Sequence, residues 1–131
     1  MKTNKVAAVT GGSAGIGKVV CEQLLDQGYE VVSLARRRAG IDHPRLHSIE
    51  VDLADRAATA QAVQSMVQQH EVTTIVHNAG VIRAALLPQV KLADLDALVD
   101  LHLGCAVQML QAALPATVSY THLTLPTICS V

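Results

Sequence analysis

The sequence predicts an α/β fold, a doubly wound parallel sheet truncated after about four strands. Three observations carry this. Short Val/Ile/Leu-rich runs alternate with longer stretches whose apolar residues recur at helical spacing. The first run ends in a glycine-rich loop, VTGGSAGIG, that leads straight into a helical pattern. The composition is aliphatic: 50% of the 131 residues are hydrophobic, with no Trp or Phe and two Tyr, which suits helices layered on a buried sheet.

Lys5 to Thr10 (KVAAVT) reads as a buried strand. Ile16, Val19, Val20, Leu24 and Leu25 then recur at helical spacing, and Gly28 is a natural helix stop. Glu30 to Ala35 (EVVSLA) and Leu46 to Val51 (LHSIEV) are the second and third strands, joined by an irregular polar stretch. Asp55 caps a helix running to about His70, with Ala60, Val63 and Val67 on one face. Val72 to His77 is the fourth strand. A helical region follows from about Leu92 and stops near Pro115, with Cys105 and Met109 on an apolar face, as core or interface. The order β-α-β-β-α-β-α implies right-handed crossovers and a strand order of 3-2-1-4.

Charge excludes some functions. Lys and Arg number 10 against 11 Asp and Glu, for a net charge of -1, which leaves no footprint for nucleic acid or an anionic membrane. No apolar run approaches the roughly 18 residues of a membrane span. The N-terminal MKTNKVAAVTGG has no apolar leader core or cleavage site. Cys21, Cys105 and Cys129 are widely spaced, without CxxC, and read as reduced thiols in a cytoplasmic setting. His43, His47, His70 and His122 are scattered without metal-ligand spacing, so no metal is expected.

A strand, a glycine loop and a helix in immediate succession aim backbone N–H groups and a positive helix end at one place, which is an anion site. The bland alternative is a plain strand-to-helix turn. Gly11 can take the tight turn, Gly15 can let backbone approach a diphosphate, and Gly17 can let the helix pack on the strand. Thr10-Gly11-Gly12-Ser13-Ala14-Gly15-Ile16-Gly17 resembles the TGxxxGxG motif of the short-chain dehydrogenase/reductase family. Asn78-Ala79-Gly80 is similar to that family's NAG motif, and Asp52-Leu53 to its adenine-contacting pair. The resemblance covers about residues 4 to 116, roughly the first half of a family member. It implies a Rossmann-type sheet and a dinucleotide held by Gly11, Ser13, Gly15, Ile16, Gly17, Asp52, Leu53, Asn78, Ala79 and Gly80. The TGGxxGxxG spacing of the carbohydrate-epimerase branch is not met.

The second strand ends in Ala35-Arg36-Arg37-Arg38, where NAD sites carry an acidic residue for the ribose 2'-hydroxyl. A guanidinium can instead take a 2'-phosphate through two hydrogen bonds. One such charge-assisted bond is worth about 1.5–3 kcal/mol, enough for a roughly ten- to hundredfold preference. Arg36 and Arg37 are therefore the candidates for binding NADP, against the plainer reading of a solvated basic loop. The family's other mark of NADP, a basic residue just before the middle glycine, is replaced by Ala14.

The resemblance implies hydride transfer to or from a small-molecule carbonyl or secondary alcohol, by an Asn, a Ser, a Tyr and a Lys, the last two spaced YxxxK. No YxxxK occurs: Tyr29 is followed four residues on by Ser33, Tyr120 by Thr124, and no Lys follows Lys91. The family's helix Asn falls at His102, whose imidazole can hold a relay water or simply pack beneath the site. His77, where the family often has another Asn, reads as a strand-end hydrogen bonder. The same helix commonly builds a subunit interface in the family, which implies a homo-oligomer for a full-length protein. The alternative is a non-catalytic NADP-binding or regulatory module.

Residues 118–131, VSYTHLTLPTICSV, are unlike anything upstream. VSYTHLTLPT is what a transposon-end sequencing adapter yields when translated in one frame. The expected division is a partial NADP-binding domain over 1–117 and a non-native tail over 118–131. Thr121 to Leu125 alternates and could instead form a strand, with Pro126 placing it at an edge. Without a native fifth strand, the fourth would keep an open, association-prone edge.

Overall fold

Val6–Thr10 (β1) lies at the centre of a parallel sheet, buried along its whole length, which is why its sequence is apolar without alternation. The computed structural model describes residues 5–79, 87–118 and 127–130. After β1 come α1 (Gly15–Asp26), β2 (Glu30–Ala35), β3 (Leu46–Glu50), α2 (Arg56–Gln69), β4 (Val72–His77), α3 (Leu92–Val99), α4 (Cys105–Val118) and β5 (Thr127–Ser130). The strand order is β3-β2-β1-β4-β5. The expected 3-2-1-4 order is present, with one strand added.

Local signals account for the element ends. Asp55 accepts a hydrogen bond from the Ala58 N–H at 3.1 Å and caps α2. α1 stops at Gln27, and Gly28 takes φ 93° to turn into β2. Pleating sends neighbouring residues of one strand to opposite faces. Val9, Cys21, Leu25 and Val31 make the core beneath α1. Ala8, Val32, Leu34, Val63, Met66, Ile75, Cys105 and Met109 make the larger core beneath α2 and α4. Cys105 and Met109 are thus core residues. Burial pushes the Cys21 and Cys105 thiols up to about 11, with the Glu22 charge adding to the first, so both serve as neutral packing groups.

Three features differ from the sequence expectations. The helical region from Leu92 is not continuous: a wider π-helical turn, Asp100–Gly104, separates α3 from α4. α4 passes Pro115 and ends at Val118. A proline lacks an N–H, but close to a helix end that omits a single bond rather than breaking the helix. Lastly, Thr127–Ser130 of the expected non-native tail forms β5 and pairs with Thr74–His77, so the edge of β4 is not open. Unpaired N–H and C=O groups along a strand edge accept any extended segment that can reach them. The strand read as an alternative over 121–125 lies outside the described residues.

The outer face of α3 and α4 is unusual. Leu92, Leu95, Val99, Leu103 and Val107, three or four residues apart, are all exposed, Leu92 by 75% and Leu103 by 64%. No helix among the described residues is long and apolar enough to cross a membrane.

Ile75, fully buried in β4, carries much of the larger core. Ile75→Ala is expected to lower the unfolding free energy by about 2–5 kcal/mol in urea denaturation, whereas Val19→Ser, on the exposed face of α1, changes it by less than about 0.5 kcal/mol. Equal effects would contradict this division of core and surface.

Candidate functional site

The loop between β1 and α1 is shaped by what its glycines lack. Gly11 has φ 73° and donates its N–H to the Leu34 carbonyl at 2.8 Å, tying the loop to β2. Gly15 has φ 58°, and a Cβ built on it would meet nothing within 4 Å. A Cβ on Gly17 would collide with the Gly11 carbonyl oxygen and come within 2.5 Å of Asn78 Nδ2. Residue 17 must therefore be glycine for α1 to begin against the end of β1. Ala14 precedes α1 in an extended conformation, and no side chain caps the helix start. The first N–H groups of α1 thus face an open space with a positive helix end behind them.

Gly12 belongs to this design although the sequence reading gave it no role. A Cβ there would lie 2.5 Å from Ser33 Oγ and 2.8 Å from Cys21 Sγ. The Gly11-Gly12 doublet was the signal, but the partners it must clear come from β2 and α1.

The loop forms one wall of a cleft of about 760 Å³ at the carboxyl ends of the strands. Gly11, Ser13 and Ala14 line it from the loop, Ala35, Arg36 and Arg37 from the end of β2, and Val51 to Ala54 from the end of β3. Ala79 adds a wall after β4, and Ala97 and Leu101 close it from α3 and the π-turn. Of the sequence candidates, Gly11, Ser13, Arg36, Arg37, Asp52, Leu53 and Ala79 line this cleft. Gly15, Ile16 and Gly17 form the start of α1 beside it, with Ile16 exposed and Gly17 buried. Asn78 stands behind the loop, its Nδ2 donating to the Gly11 carbonyl at 3.3 Å. Gly80 lies outside the described residues. Arg36 and Arg37 are exposed at the rim, and the Asp52 carboxylate accepts from the Ala54 N–H at 3.1 Å.

A buried polar knot holds this end of the sheet. The Thr10 hydroxyl oxygen accepts from the backbone N–H groups of Asn78 (3.0 Å) and Ala79 (3.1 Å). With both lone pairs used, its hydrogen goes to His77 Nδ1, 2.9 Å away. His77 is therefore the neutral Nε2–H tautomer, and that N–H donates to the His102 carbonyl at 3.1 Å. Burial pushes the His77 pKa below its ordinary value of 6.5, against the opposing pull of the His102 carbonyl. His102 thus reaches the knot through its backbone, in the π-turn one residue past Leu101 of the cleft. Nothing in the spacing of Thr10, His77 and His102 along the sequence links them.

A match to the family described as short chain dehydrogenase spans residues 5–130. An uncharacterised short-chain type dehydrogenase/reductase of Sinorhizobium fredii is 34% identical over 110 residues, covering 79% of this chain and 42% of that protein. Ligand-free aldohexose dehydrogenase of Thermoplasma acidophilum superposes with a TM-score of 0.82 at 22% identity, over 97% of this chain and 48% of the other. A blue fluorescent protein from a metagenomic library, solved with NADPH, is 29% identical with a TM-score of 0.71, over 85% of this chain and 50% of the other. A Brucella melitensis 3-ketoacyl-(acyl-carrier-protein) reductase solved with NADH gives 0.75 at 22% identity, over 86% and 50%. The chain spans about half the length of the relatives it matches.

The knot predicts a pH dependence of stability. Above about pH 6.5 a histidine is neutral in both states, so the full stability is present. Below it the unfolded chain takes up protons that buried His77 resists, so stability falls with acidification. His70, whose pKa is lowered by burial and then by neighbouring His47, adds in the same direction. Urea midpoints at pH 7.5 and 5.5 should show the loss, and His77→Gln should make it shallower while lowering stability at pH 7.5. An unchanged pH slope in that variant would remove His77 from the account.

Proposed function

This chain belongs to the short-chain dehydrogenase family, and on that premise we propose that its cleft binds NADP(H). The full-length protein then transfers hydride between that cofactor and a small-molecule carbonyl or secondary alcohol. The observation that carries the reading is the pair Arg36 and Arg37 lining the cleft at the end of β2, with no acidic side chain at that strand end.

The residues present fit the group. The open space at Gly15 and the uncapped start of α1 suit a diphosphate. Arg36 and Arg37 suit a ribose 2'-phosphate, and Asp52 and Leu53 form the wall for an adenine. Ala79 stands at the far wall and Asn78 behind the loop, the backbone of both held by the Thr10 hydroxyl. When bound, the nicotinamide supplies or accepts the hydride. The chain's own part is to hold, orient and exclude water from it. His102 falls at the family's helix Asn position; if its imidazole holds a relay water, His102→Ala in a full-length protein should slow turnover. Unchanged turnover would reduce His102 to packing.

The sequence contains no YxxxK, so this chain on its own binds the cofactor without turning substrate over. The second reading is a non-catalytic NADP-binding module. Carbonyl reduction by a longer protein that contains these residues separates the two. The apolar stripe Leu92, Leu95, Val99, Leu103 and Val107 supports a homo-oligomer, its partner a second copy of α3 and α4. Leu103→Glu should then shift a full-length assembly toward monomer in sedimentation.

Calorimetric titration tests the cofactor. Arg36→Ala and Arg37→Ala together should weaken NADPH binding by about ten- to hundredfold and leave NADH binding within about twofold. Equal losses for both dinucleotides would overturn the NADP reading.

A further inference from the structure

At the opposite end of the sheet from the cleft, three side chains from three elements converge. Glu30 opens β2, His47 is the second residue of β3, and His70 follows the last residue of α2. Glu30 is five residues from Ala35 of the cleft, about 16 Å along the strand. Glu30 Oε1 lies 2.7 Å from His47 Nε2 and 3.8 Å from His70 Nδ1. The two imidazoles are 4.7 Å apart, tilted by 43°. One donor atom from each of the three residues lies within 4.8 Å of the other two.

We propose that Glu30, His47 and His70 form a Zn²⁺-binding site with a fourth position open to water. The donor set suits it: two imidazole nitrogens and one carboxylate oxygen are ligands for zinc and its neighbours cobalt and nickel, not for calcium or magnesium. The geometry is close. Bonds of about 2.0–2.1 Å in a tetrahedron set donor atoms about 3.3 Å apart, and the observed separations straddle that value.

The arrangement is otherwise incomplete as a hydrogen-bonded cluster. One carboxylate oxygen faces two imidazoles and reaches only His47; His70 Nδ1 at 3.8 Å is beyond hydrogen-bonding distance. A divalent ion engages all three donors at once. The side chains are 38% (His47), 27% (Glu30) and 14% (His70) exposed, open enough for an ion to enter and covered enough to be held. Bound there, the ion pins the start of β2 to β3 and to the junction between α2 and β4. It stabilises the end of the sheet that the cofactor does not touch, and by mass action it shifts the whole chain toward the folded state.

The test is titration of the tag-free, chelator-treated 131-residue chain with Co²⁺ and then Zn²⁺. One equivalent of Co²⁺ should produce visible d–d absorption without a sulfur charge-transfer band, and Zn²⁺ should abolish it. Zn²⁺ should also raise the thermal midpoint in a concentration-dependent way, with Mg²⁺ inert. His47→Gln and His70→Gln should each weaken Co²⁺ binding by more than about tenfold. If His70→Gln fails to fold, Glu30→Gln provides the same comparison at a strand start. A sulfur-to-metal band, binding unchanged in these variants, or no spectral change at saturating Co²⁺ would each overturn the site.

Discussion

Everything at the cleft depends on how closely α1 can approach the end of β1. That approach exists because residue 17 has no side chain: any Cβ there would collide with the Gly11 carbonyl. Gly11 and Gly15, both with positive φ, complete the turn that brings the helix back. The result is a helix whose first N–H groups point into open space and whose inner face still buries Cys21 and Leu25 against the sheet. Helix start and core are thus one arrangement. Moving α1 outward by the width of a methyl group would loosen both.

A second fastening works at right angles to the first. The Thr10 hydroxyl uses all its hydrogen-bonding capacity at once, holding the backbone of Asn78 and Ala79 and orienting His77. His77 passes the connection to the carbonyl of His102. That carbonyl lies in the wider π-turn over Asp100–Gly104. The π-turn, the most local irregularity in the helical region, is thereby joined to the strand end that walls the cleft. Such a network is stable only if every member is satisfied, which is why the buried histidine stays neutral.

Much of this was legible in the sequence. The expected strands became β1, β2, β3 and β4 in the expected order: β1 and β2, buried on both faces, are nearly unbroken aliphatic segments, whereas the half-buried edge strand β3 alternates. Gly11 and Gly15 take positive φ and Gly17 allows a close backbone approach, conformations that favour glycine and so are legible in a glycine-rich loop. Arg36 and Arg37 could be assigned to a cleft because a strand end in a parallel sheet has a known neighbourhood. The end of the last helix was misjudged at Pro115, since a proline marks a boundary only to within a turn. The fifth strand, Thr127–Ser130, was not expected because residues 118–131 read as a non-native tail, and four residues are too few to show a period.

The sequence by itself determined the layer architecture, the glycine-rich turn into α1 and the basic rim of the cleft. Each of these is carried by neighbouring residues whose backbone freedom, apolar period or charge has a local meaning. Only the tertiary structure decided which distant groups meet. Thr10 and His77 are 67 residues apart, and Glu30, His47 and His70 come from three elements. Gly12 is forced by side chains of β2 and α1 rather than by its own turn. Contacts of that kind leave no spacing to read, because the distance that matters is set by how strands and helices stack and not by how many residues lie between them.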